Sequence, residues 1–249
     1  ALNSGTIRDA VGNNATLTHS AVSANASYKV DTTAPTAVWS AATDDAGSVT
    51  GSLTSGDSTN DTALVLSGAN ESGSNVNAYN GTTLLEAATV SGTGWSYTAT
   101  VANGTTYQFN VKETDAAGNT SAATSNFAVT GDTTAPTVSS VSISSASGVQ
   151  NSLLNAGDVV SVTVTFSENV TTTGSPQLTL NVGGTSRTAT YASGSGGTSL
   201  VFQYTIQAGE SDADGISIGA NALALNSGTI RDVAGNNATL THGSVSANA

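Results

Sequence analysis

Cysteine and methionine are both absent from the 249 residues. A disulfide framework and a thiolate metal site are therefore excluded. Cations are scarce: five Lys and Arg stand against 17 Asp and Glu, a formal net charge of −12. Nucleic acid and anionic membranes are poor partners for such a surface. No long window carries a helical period, and no run is long and apolar enough to span a bilayer. Signal-peptide and lipidation signals are missing as well, so no membrane insertion is expected of this segment.

What fills the chain is Ser, Thr, Asn, Gly, Ala and Val, with alternation at period two. Val160, Val162, Val164 and Phe166 alternate with Ser161, Thr163 and Thr165. Leu178, Leu180 and Val182 follow, then Leu200, Phe202, Tyr204 and Ile206. Tyr107, Phe109 and Val111 are expected to face one way, and Gln108, Asn110 and Lys112 the other, as in a half-buried antiparallel strand. Trp95 and Tyr97 share a strand face, Asn80-Gly81 reads as a hairpin turn, and Ile216 and Ile218 read as a short strand. Ser193-Gly194-Ser195-Gly196-Gly197 reads as a hairpin loop; with no Lys and no following helix it is no phosphate cradle. The predicted fold class is all-β: tandem immunoglobulin-like β-sandwich modules in an extended array.

A pair of motifs punctuates the chain. The turn Asp115-Ala116-Ala117-Gly118-Asn119 precedes a strand and then Asp132-Thr133-Thr134-Ala135-Pro136-Thr137. The turn Asp9-Ala10-Val11-Gly12-Asn13 likewise precedes Asp31-Thr32-Thr33-Ala34-Pro35-Thr36, and a third turn starts at Asp232. Gly allows positive φ in the turn, and Pro biases the linker toward an extended path. Residues 1–26 and 224–249 are the same but for four positions. A repeat that close marks a tandem array. The expected division is a closing hairpin and linker over 1–30, a first sandwich over 31–131, and a second of different type over 132–249. The chain then reads as an internal piece of something longer. The 1–30 hairpin packs in place, frays, or exchanges with the matching hairpin of another molecule.

Calcium takes six to eight oxygens, and Asp and Asn in tight turns supply them. The expected groups are Asp9, Asp31, Asp44 and Asp45 at the first joint, and Asp115 and Asp132 with Asp212 or Asp214 at the second. Glu168 ends an apolar strand and faces a module end. Asp232 repeats Asp9 and serves a third joint, while Asp158 is a weaker candidate. Asp57 and Asp61 read as solvated loop acids. The competing reading of any one of these is an Asp that caps its own turn.

Enzyme chemistry is not expected. His19 and His242 are one repeated position, no Gly-x-Ser-x-Gly elbow occurs, and the acids lie in turns rather than as a catalytic pair. Other readings stay open: a glycan- or protein-binding module, favoured if Trp39 or Trp95 is exposed, or a fibre subunit assembling through the repeated hairpin.

The Asp-Thr-Thr-Ala-Pro-Thr linkers, the Thr-Asp-Ala-Ala-Gly-Asn-Thr-Ser run (114–121), the stretch from Ala156 to Glu168, Ala213-Asp214-Gly215-Ile216 and the final Gly-Thr-Ile-Arg-Asp hairpin together resemble the bacterial immunoglobulin-like repeats of giant RTX-type and biofilm adhesins. The resemblance implies an extender region at the bacterial cell surface, outside the cell. Such a region holds a distal binding domain away from the cell, its partners are neighbouring repeats, and calcium stiffens its joints. On that pattern Asp9, Asp31, Asp115, Asp132, Glu168, Asp212, Asp214 and Asp232 carry over as ligands.

Overall fold

The structure is a computed structural model that describes residues 3–247. The chain falls into two compact units, Ala1–Thr33 and Ala34–Ala249. In the first, the Asp9 turn closes a narrow hairpin: Arg8 bridges Asn14, and Ala15 N–H donates to the Ile7 carbonyl at 2.8 Å. Gly12 takes φ +93° there, a conformation that suits glycine.

The second unit contains two modules with separate cores. Ten strands build the first: β1 (Val38–Asp44), β2 (Gly51–Ser52), β3 (Ser58–Thr59), β4 (Ala63–Ala69), β5 (Asn75–Asn80), β6 (Thr83–Ala87), β7 (Thr89–Ser91), β8 (Gly94–Thr100), β9 (Thr106–Thr114) and β10 (Phe127–Gly131). They form two five-stranded sheets, ordered β2-β1-β4-β8-β7 and β3-β10-β9-β5-β6. Leu64 and Leu66 from one sheet meet Val76, Phe109 and Val111 from the other in a single buried cluster. This is the alternation of a sandwich, apolar in and polar out.

Gly68 is fixed by crowding. A Cβ there would stand 1.9 Å from the Val38 carbonyl oxygen and 2.6 Å from the Trp95 indole nitrogen. The bare backbone lets Trp95 lie flat in the core and donate its indole N–H to that same carbonyl at 3.0 Å.

Seven strands build the second module: β11 (Val138–Ser147), β12 (Val159–Thr173), β13 (Gln177–Val182), β14 (Thr185–Ser193), β15 (Gly197–Thr205), β16 (Leu223–Ala224) and β17 (Thr229–Arg231). They belong to one sheet, β11-β12-β15-β14-β13-β16, with β17 added to the far half of β12. The long strand β12 serves two partners because its pairing with β15 breaks between Thr165 and Val170, and beyond the break Thr171–Thr173 pair with β17. Val162, Val164, Leu178, Leu200, Phe202 and Ile230 meet in the second core. Among the described residues no helix forms, and all regular structure is strand.

Three local expectations need correction. Asn110 does not face solvent with Lys112; it is buried, and its amide donates to the Gly81 carbonyl and to Asn126 Oδ1. Both amide donors find acceptors there, while Oδ1 is buried without a partner. The β5–β6 hairpin pairs Asn80 with Thr83, so its loop is Gly81-Thr82, with Gly81 at φ +59°. Ile216 and Ile218 form no strand of their own; Ser217 and Ile218 make isolated bridges to Asn181 and Val245. The loop over Gly194–Gly196 between β14 and β15 is where the glycines place it.

Candidate metal centre at the joint between the modules

Strand direction decides which acids can meet. Strand β10 ends at Gly131, and the next residue is Asp132. The Asp132 N–H donates to the Thr59 carbonyl of the first module at 2.8 Å. Its own carbonyl accepts from the Asn236 side-chain amide of the second module at 2.8 Å. The linker is thus held from both sides. Asn103 adds two more bonds, accepting from Thr133 N–H and donating to Thr134 Oγ1. Beyond Pro136, whose carbonyl accepts from Thr239 N–H, Thr137 and Ser167 exchange hydrogen bonds.

Glu168 follows Ser167, inside the interruption of the β12 ladder. Such irregularities re-aim a side chain, and here it turns toward the linker. Asp232 starts the turn after β17, where its carboxylate accepts from the Asn236 backbone N–H at 2.8 Å and from the Asn236 amide at 2.7 Å. Asp132, Glu168 and Asp232 each present one carboxylate oxygen, and these oxygens lie within 4.8 Å of one another. Oxygens that share one calcium at 2.3–2.6 Å stand at most about 5 Å apart, so the spacing fits a single ion.

The electrostatics of the group are unbalanced. Asp232 is buried. The Glu168 carboxyl is pushed above the ordinary range, first by burial and then by the charges of Asp132 and Asp232. Glu168 makes no hydrogen bond or ion pair among the described residues; the one ion pair there joins Arg187 to Glu210. The Asn60 amide nitrogen packs beside Gly235 of the Asp232 turn, and Asn60 Oδ1 is buried without a hydrogen-bond partner. Three carboxylate oxygens with surplus negative charge are a donor set that suits calcium rather than a transition metal.

The other expected ligands lie elsewhere. Asp115 does not join Asp132. Strand β9 begins beside the end of β10, Thr106 facing Thr130, and carries Asp115 about 30 Å away to the opposite pole. Its carboxylate accepts from the Ala117 and Asn119 backbone N–H groups and from the Asn119 amide. Asn119 leads the causes that hold the Asp115 carboxyl below its usual range. Asp212 and Asp214 do not join Asp132 either. Strand β11 leaves the linker at Val138 and ends at Ser147, and Asp212 lies with Ala146 and Val149 at that far end.

Asp44 faces the second joint, not the first, because β1 runs away from its linker; it lines a small cavity with Val49, Val233 and Ala234. Its carboxylate accepts from Thr59 Oγ1 and Ala46 N–H. Asp45 is exposed. In the first unit Asp9 accepts from Val11 N–H, Asn13 N–H and the Asn13 amide, and Asp31 accepts from Thr33 N–H. Asp158 caps its own loop through Asn155 N–H. Asp232 lies beside Asp132 at this joint.

Some acids run against expectation. Asp61 is buried, not solvated, and Asp57 caps Thr54 through N–H and hydroxyl. Glu113 is fully buried: one carboxylate oxygen accepts from Glu71 N–H and Ser74 Oγ, and the other has no partner. An acid placed between Lys112 and Thr114 on an apolar strand is the only hint the sequence offers. His242 plays a structural part: Nε2 accepts from Ala222 N–H at 2.8 Å, which leaves Nδ1 to donate to the Gly243 carbonyl. Trp95 is buried, and Trp39 stacks on Phe127 at 5.2 Å.

Residues 33–133 match the family model described as a bacterial Ig-like domain. The first module is thus similar to bacterial Ig-like domains. Ig-like folds of this kind are typically non-enzymatic, and bacterial Ig-like domains are common in extracellular and surface proteins. No curated protein matches the chain. Among solved structures, the fibronectin(III)-like modules of CbhA from Clostridium thermocellum are similar at 12% identity, covering 78% of this chain and 90% of that one, with a TM-score of 0.33.

Proposed function

We propose that this chain is an extender segment of a bacterial surface adhesin, and that calcium bound by Asp132, Glu168 and Asp232 stiffens the joint between its Ig-like modules. The observation that carries this reading is the origin of the three carboxylates. One comes from the linker, one from an interrupted strand and one from the closing turn of the next module. An ion held by all three ties the linker to the module that follows it. Without the ion, three like charges share one site and push the joint open. Extracellular calcium modules bind at about 10⁻⁴–10⁻³ M, so such a joint is loaded outside a cell and empty inside one. Its role is mechanical: to keep successive modules in line and a distal binding domain away from the surface.

Calorimetric titration with calcium, paired with small-angle X-ray scattering, tests the reading. Binding near 10⁻⁴–10⁻³ M and a longer particle in calcium than in chelator are expected. No binding heat, with the same scattering profile in both, would refute it. The Asp132→Asn variant separates this joint from other acids, since the Oδ1 acceptor for Thr134 N–H remains.

A further inference from the structure

One sequence occurs twice in this chain, and its two occurrences stand in opposite surroundings. In the second module the segment 229–245 is seated. Thr229–Arg231 pair with Thr171–Thr173 of β12, Thr239 bridges Thr137, and Val245 bridges Ile218. Ile230 is 1% exposed in the core, with Ala238, Leu240 and Val245 packed against that core. The same residues in the first unit, Ile7, Leu17 and Val22, are 55%, 47% and 88% exposed. Exposed apolar side chains in such a row mark an interaction surface. The seated repeat shows what covers them.

The free repeat already has the shape of the seated one. Ala15 N–H donates to the Ile7 carbonyl at 2.8 Å, as Ala238 N–H does to that of Ile230 at 2.9 Å. Arg8 bridges Asn14 as Arg231 bridges Asn237. The Asp9 and Asp232 carboxylates accept from Asn13 and Asn236 N–H alike, and the turn glycines take φ +93° and +95°. A preformed piece gives up little freedom on docking, which favours association. The repeats differ at positions 10, 11, 20 and 21, which match Val233, Ala234, Gly243 and Ser244. Of these only Ala234 is buried, at 2% exposure. Val11 would crowd that place, so the chain's own segment is the better fit and must leave before the other can enter.

We propose that the 6–22 hairpin is a closing piece for a second copy of this chain, seated in that copy's second module in place of 229–245. Ile7 then enters the core beside β12, and Thr6 and Arg8 pair with Thr173 and Thr171. Exchange of an identical element is a low-cost route to association. Hairpin and seat are different surfaces of one chain, so the contact runs head to tail. It rests on apolar burial and backbone pairing and requires no metal.

The test is a disulfide trap in a chain that has no cysteine of its own. The Thr173 and Thr229 hydroxyls are 2.7 Å apart, close enough for a disulfide to replace them. Thr6 is the counterpart of Thr229. Two full chains, one with Thr6→Cys and one with Thr173→Cys, are mixed in chelator so that the cation site plays no part. The mixture is held at about 1 mM, of the order of the effective concentration of a tethered segment. It is warmed through the melting transition, cooled and oxidised. Random collision makes about half of the linked dimers mixed. The mixed dimer is expected to exceed that share severalfold over the two like dimers, and to do so only after the melting step. Ile7→Asp in the Thr6→Cys chain, at a position exposed in its own molecule, should return the share to about half. A mixed dimer at the random share after melting and cooling, or an excess that survives Ile7→Asp, would overturn the proposal.

Discussion

Replacing Glu168 by Gln is the sharpest perturbation of the joint. Glu168 makes no hydrogen bond among the described residues, so the amide leaves no orphaned partner. What it removes is one charge facing two others. At 4.8 Å, each repulsion is worth about 1 kcal/mol in water and about 3–4 kcal/mol at an effective dielectric near 20. The site is part-exposed and salt screens it, so both pairs together give about 2 kcal/mol. For the modules over 34–249, each kcal/mol moves the melting temperature by about 2–4 °C. In chelator the variant should therefore melt about 4–8 °C above the parent. Calcium works against that lead. At 10 mM and a dissociation constant of about 10⁻⁴–10⁻³ M, it stabilises the parent by about 1.4–2.7 kcal/mol, and the variant by much less. Differential scanning calorimetry across a calcium series at constant ionic strength should show the variant's lead shrink, and invert for a dissociation constant near 10⁻⁴ M. A variant less stable than the parent in chelator, or a lead that calcium leaves unchanged, would refute the reasoning.

Acidity should act on the metal-free joint in the same sense. The raised Glu168 carboxyl binds its proton more readily folded than unfolded. Stability should increase as pH falls through its folded value toward 4.5, and thermal melts in chelator read this directly. Asp57 and Asp115 have the opposite sign. Their carboxyls are held below 3.8, so their contribution is full above that pH and is lost below it. The pH–stability curve should then turn over in that range. Asn236→Ala removes the amide that holds Asp132 O and Asp232 together; about 1–3 kcal/mol should be lost and the linker amides should exchange faster by hydrogen-exchange NMR. Gly68→Ala forces a Cβ against the Val38 carbonyl and the Trp95 indole. It should cost about 1–3 kcal/mol or more and shift Trp95 fluorescence, with Ala63→Gly on the same strand as a control for backbone effects.

The sequence carries the alternating strands in plain view, because apolar residues at period two and glycine-rich turns are local signals. Leu64, Leu66, Val162, Phe202 and their neighbours are core residues for that reason. The joint is only half legible. The recurrence of Asp132 with a Gly-Asn turn points to carboxylates at module ends. Which of them meet depends on strand direction: Asp115 and Asp232 start the same motif, yet one lies a strand's length from Asp132 and the other beside it. Nothing local encodes that parity. Buried acids are illegible for a related reason. Asp44, Asp61 and Glu113 accept from Thr59 Oγ1, Asp45 N–H and Glu71 N–H respectively, donors on distant segments, and sequence spacing does not report such convergence. Asn110 follows the same logic with Asn126 and Gly81.

The β11–β12 ladder has a consequence for tension. A pull on the linker enters the second module at Thr137, directly before β11, and the Ile218–Val245 bridge stands toward the opposite pole. Inter-strand hydrogen bonds in an antiparallel pair lie across the strands. Stretching therefore shears the rungs from Val138 to Ser147 together instead of unzipping them one after another. Resistance to rupture is then set by the rate at which the whole ladder yields, a kinetic property that equilibrium stability does not measure.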